Sequence, residues 1–116
     1  MKFILWAVAC ASLAGCAVPT MTEMRQKEPR QVMHSTKTAK VLADCVQKKW
    51  QELPVFEGKK GATQEPGSHG GYTVASVGEA YFADIQSEGA GTVAKYYSAT
   101  YLWISKKHEE AVQECL

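Results

Sequence analysis

Between residues 37 and 53 the apolar side chains recur at helical spacing. Leu42, Cys45, Val46, Trp50 and Leu53 fall on one stripe, while Lys40, Asp44, Lys48, Gln51 and Glu52 lie mainly on the other side. Ser35 or Thr36 can cap this helix. Pro54 closes it, because the residue before a proline avoids the α region. A second helical pattern covers residues 100–115. Its stripe is Tyr101, Ile104, Ala111, Val112 and Cys115, with His108 in the same row, and Thr100 or Ser98 can cap it. Lys106, Lys107, Glu109, Glu110 and Glu114 cover the rest, and Trp103 lies on the flank.

Between the two helices lie three β-favouring runs, at 72–77, 80–86 and 92–99, rich in tyrosine, phenylalanine, valine and isoleucine. Gly78-Glu79 suits a two-residue hairpin, and residues 87–91 a longer turn. Residues 55–71 are turn-rich and read as irregular, with Val55 and Phe56 able to add a short fourth strand. The pattern predicts an α+β domain over residues 37–116. A three-stranded antiparallel sheet packs against two helices in the order α-β-β-β-α, leaving the other sheet face free.

The N-terminus is of another kind. Met1-Lys2 is followed by an apolar run from Phe3 to Leu13, too short to span a bilayer, which needs about 20 apolar residues. It has the form of a secretory signal and leads into Leu13-Ala14-Gly15-Cys16. That tetrapeptide resembles the lipobox of bacterial lipoproteins: an aliphatic residue, two small residues, then the cysteine whose thiol takes the lipid. The resemblance implies that residues 1–15 are a signal peptide, that Cys16 is the acylated first residue, and that the membrane is held through this anchor. Two acyl chains already anchor stably. Residue 17 is Ala rather than Asp; in Gram-negative lipoproteins that implies the outer membrane, facing the periplasm or the surface. Residues 17–35, with two prolines, mixed charges and no periodicity, read as a flexible tether with a reach of roughly 25 Å. The lipidated N-terminus and tether together occupy residues 16–36.

Of the four cysteines, Cys10 leaves with the signal and Cys16 carries lipid. Cys45 and Cys115 remain for an oxidising compartment, with one pairing open to them. Each lies on the apolar stripe of its helix, so a bond between them would clamp the two helices together on one sheet face. Closing a loop of this length stabilises a small domain by roughly 4 kcal/mol.

Composition removes several function classes. Thirteen basic residues against twelve acidic give a net charge of +1, no electrostatic reason to expect nucleic acid. His34, His69 and His108 lack metal-ligand spacing, and no metal or other cofactor is expected. The glycine-rich stretches lack the phosphate-binding order. No G-x-S-x-G occurs, and neither Asp84 with Glu88 nor the adjacent Glu109 and Glu110 has a spacing that selects a catalytic pair. Aromatic residues are the better lead. Tyr96 and Tyr97 are consecutive on a strand and point to opposite faces. Together with Tyr72 and Trp103 they form the candidate binding surface, since Tyr and Trp on a rigid scaffold are common interface anchors.

The Cys45-x4-Trp50 spacing, the strand ending in Tyr96-Tyr97, the Leu102-Trp103 pair and the terminal Cys115 resemble a group of small, poorly characterised proteobacterial lipoproteins. The resemblance implies fold and compartment and carries no catalytic residue. The expected function is that of a non-enzymatic binding or accessory module of the envelope, with an envelope protein or peptidoglycan as partner. The alternative is a small cell-wall-active hydrolase or an enzyme inhibitor in the periplasm.

Overall fold

The computed structural model describes residues 19–55, 58–67 and 70–116. The signal and Cys16, Phe56 of the optional fourth strand, and His69 lie outside the described residues. The chain folds as α+β: α1 (Met21–Arg25), β1 (Gln31–Ser35), α2 (Ala39–Gln51), β2 (Ala62–Pro66), β3 (Tyr72–Ser76), β4 (Tyr81–Glu88), β5 (Gly91–Ser98) and α3 (Trp103–Cys115). The strands form one open antiparallel sheet in the order β1-β5-β4-β3-β2.

The meander is where the sequence pattern predicts it, but among the described residues the sheet has five strands rather than three, and there are three helices rather than two. Both additional strands are edges. β2 comes from the segment read as irregular; its Pro66, which lacks a donor, sits at the end of an edge strand, where a ladder tolerates it. Val55 stays outside the strands, donating its N–H to Lys59 O at 2.6 Å. β1 comes from the segment read as a tether. Its Met33 and Ser35 turn inward and are buried, while Val32 and His34 remain exposed. QVMHS and ATQEP each hold a single β-branched residue and no aromatic, whereas the equally short β3, YTVAS, holds three β-favouring side chains, so neither edge is visible as a strand in the sequence.

One sheet face is dry. Leu42, Ala43, Val46 and Trp50 of α2, with Ala111 and Val112 of α3, bury against Val74, Tyr81, Ala83, Ile85, Ala94 and Tyr96. α2 begins at Thr38, whose hydroxyl accepts from Val41 N at 3.3 Å, rather than at Ser35 or Thr36. Cys45 and Cys115 are bonded, with Cα atoms 5.9 Å apart, and clamp α2 to α3 as expected. Trp50 lies at the centre, its indole N–H donating to the His108 carbonyl at 3.0 Å.

The opposite face is not free. α1 lies on it, burying Met24 with Ala75, Phe82 and Tyr97. Arg25 fastens the lid through a bidentate pair, Nε to Asp84 Oδ2 and Nη2 to Asp84 Oδ1, each at 2.8 Å. Thr73 Oγ1 adds a hydrogen bond to the same carboxylate at 2.7 Å. The β3–β4 connection is a turn over Val77–Glu79 rather than the predicted two-residue hairpin; Gly78 (φ 78°) and Glu79 (φ 59°) both adopt the left-handed region. Gly71 is required by contact as well as by its φ of 73°: a Cβ there would stand 2.0 Å from Ile85 O.

Candidate functional site: an aromatic ridge at one end of the sheet

The chain leaves β5 at Ser98 and must swing round the end of the sheet to begin α3 on the helical face. Ala99 N–H donates to Ala80 O at 2.9 Å, and the Ser98 hydroxyl bonds to Thr100 O, which fixes this exit. α3 is started at Leu102, whose N–H donates to Ser105 Oγ at 2.7 Å. Neither Thr100 nor Ser98 is the cap. Three side chains where the chain enters α3 have no core to enter: Tyr101 is 53% exposed, Leu102 55% and Trp103 71%. The Arg30 guanidinium lies over the Tyr101 ring at 4.2 Å, and Arg30 N–H donates to Tyr96 O at 2.8 Å. The ridge is thereby tied to β1 as well as to β5 and α3.

The four aromatics of the candidate surface therefore separate. Trp103 is on the surface, as expected. Tyr96 is fully buried; it points to the helical face, donates its hydroxyl to Ser105 O at 2.6 Å, and packs edge-on against Trp50. Burial pushes its phenol well above the usual tyrosine range. Tyr97 points to the other face, where it stacks on Phe82 at 4.7 Å beneath α1, and burial raises its phenol as well. Tyr72 is half-buried with Lys40 5.2 Å above its ring. Tyr96 and Tyr97 are thus core residues, corrected from surface ones. Alternation correctly sent them to opposite faces, but it did not show that both faces are covered. Tyr101 and Leu102 were missed because Tyr101 to Ile104 spans a helical interval, although the helix starts only at Trp103.

A groove between α2 and α3 is lined by the charged side chains of Lys49, Glu52, Lys107, Glu110 and Glu114, and two of its three acids are held in ion pairs. Asp84 is held by Arg25, Asp44 by Lys40, Glu114 by Lys49 and Glu110 by Lys107. Hydrogen bonds from Gln64 and Lys40 keep the exposed Asp44 carboxyl below its usual range. Among the described residues no group of three His, Cys, Asp or Glu side chains could hold a metal. His108 is buried against Tyr81 and Trp50, with ring centroids at 4.6 and 5.0 Å. Its Nδ1–H donates to Ile104 O at 2.8 Å, because a carbonyl can only accept, and Nε2 is left without a partner. Burial lowers its pKa, which the Ile104 hydrogen bond only partly offsets.

No family model, curated protein or solved structure matches the chain. The surface itself is therefore the guide to what the protein does.

Proposed function

We propose that the chain is a lipoprotein of the bacterial cell envelope, acylated at Cys16 and carried on the outer membrane, that acts as a non-enzymatic binding module. The observation that carries the binding role is the ridge of Tyr101, Leu102 and Trp103. It gathers three large apolar side chains on the outside of a domain whose other described aromatics are buried or half-buried. A contiguous apolar patch on a small domain marks a contact surface, and a rigid Trp beside a Tyr is a favoured anchor. The anchor reading is supported by the order of positive start, apolar run and Leu13-Ala14-Gly15-Cys16. A domain held together by a Cys45–Cys115 bond suits the oxidising space outside the inner membrane.

The test joins the two halves. Cells are fed labelled palmitate, and a photo-crosslinking amino acid replaces Trp103 in one variant and Gln113, at the far end of α3, in another. The expected result is acyl label that disappears in Cys16→Ser, and adducts from position 103 that are missing from position 113. A soluble, unlabelled mature protein would overturn the anchor. Equal and diffuse adducts from both positions would overturn the ridge as a contact surface.

A further inference from the structure

From residue 19 on, the segment that follows the anchor is folded onto the domain rather than loose. Thr20 caps α1, accepting from Glu23 N at 3.2 Å, and α1 is held down by Met24 and by the Arg25–Asp84 pair. Just before that cap, Pro19 lines a shallow depression together with Ser98 and Ala99. Those are the residues that lead into the ridge. Pro19 follows Cys16 by three residues, so even fully extended chain holds it within about 11 Å of the acylated cysteine. Residues 19–35 therefore do not supply the slack of the flexible tether expected over 17–35.

We infer that the ridge docks on the lipid surface of the membrane that holds the anchor. This rests on acylation of Cys16 and names the occupant of the proposed contact surface. A domain on so short a leash must lay one side against the headgroups, and the side nearest the leash is the end of the sheet bearing Ala99 and Tyr101 to Trp103. The chemistry of that end fits an interface. Trp and Tyr, each an apolar body with a polar tip, settle at headgroup depth. Leu102 supplies apolar area between them. Val77, 38% exposed, adds another apolar side chain at the same end, since it directly follows β3 where β3 lies beside the start of β4. Arg30, over the Tyr101 ring, and Lys106, exposed on the first turn of α3, can extend toward lipid phosphates while their stems stay on the apolar surface. The lipid anchor and the ridge then form two attachments that hold the domain in one orientation.

The acylated full-length mature protein is reconstituted into phosphatidylethanolamine–phosphatidylglycerol vesicles whose acyl chains carry bromine at shallow or at deep positions. With the signal removed, its tryptophans are Trp50, which is fully buried, and Trp103, so a Trp103→Phe variant supplies the Trp50 background. The expected result is a blue shift of Trp103 emission, strong loss with shallow bromines and much weaker loss with deep ones, and protection from aqueous acrylamide. The N-terminal peptide mass is read from the same sample. An acylated protein whose Trp103 stays as open to acrylamide as in unanchored protein produced without residues 1–15 and with Cys16→Ser overturns the docking alone. A Cys16 without acyl mass overturns the anchor reading and the docking with it.

Discussion

The two faces of the sheet are closed by different means. On the helical face, two 13-residue amphipathic helices bury a continuous core centred on Trp50, and a disulfide clamps them together. On the opposite face, the aromatic pair Phe82 and Tyr97 is closed by the five residues of α1. A helix of that length has no stability of its own in water. It persists because Met24 plugs the aromatic pair, and because Arg25 reaches Asp84, Thr73 and the face of Phe82 (4.9 Å to the ring centroid). Many small contacts shared between two long helices resist loss of any one element, whereas a lid held by three side chains, Met21, Met24 and Arg25, depends on each of them. The weaker lid is also the element that ties the anchor segment to the domain.

The sharpest test of that asymmetry removes the centre of the helical face. Trp50→Ala should cost about 3–5 kcal/mol by creating a cavity, and it also strips the His108 carbonyl of its donor. Thermal unfolding followed by circular dichroism reads this directly. A loss below about 1 kcal/mol would mean that the two faces do not differ in this way.

A smaller effect is expected on the other face. Arg25→Ala removes a charge-assisted bidentate pair. Because the Arg25 side chain is 31% exposed, the cost is about 1–2 kcal/mol rather than that of a fully buried pair. Hydrogen exchange should show protection falling across α1 while α2 and β4 keep theirs. Uniform loss across all elements would contradict the description of α1 as a separately held lid.

The smallest effect is a pH dependence confined to the helical face. His108 has a lowered pKa in the folded state, so between that value and the unfolded pKa near 6.5 the unfolded chain binds the extra proton. Its contribution is therefore complete above about pH 6.5 and declines as the pH falls below it. The melting temperature should drop between pH 7.5 and 5, and His108→Gln should flatten that slope. An unchanged slope in the variant would place the proton elsewhere.

The sequence by itself determined the meander, the two long helices and the pairing of Cys45 with Cys115. Each of these leaves a signal of its own: a period sustained over several turns, clusters of β-favouring residues, or two cysteines remaining with one pairing open. It also pointed to Trp103, because a side chain on the flank of an apolar stripe has no place in the core. Only the tertiary structure decided the edges and the lid. β1, β2 and α1 are five residues each and, unlike the equally short β3, lack a cluster of β-favouring side chains or a helical stripe; they exist because a sheet edge or an aromatic pair is present to receive them. The same reason decided the candidate site. Alternation along β5 sends Tyr96 and Tyr97 to opposite faces, but whether a face is wet depends on what lies across it. For Tyr97 that is Met24, 73 residues away in the chain, and nothing local to either residue records the contact.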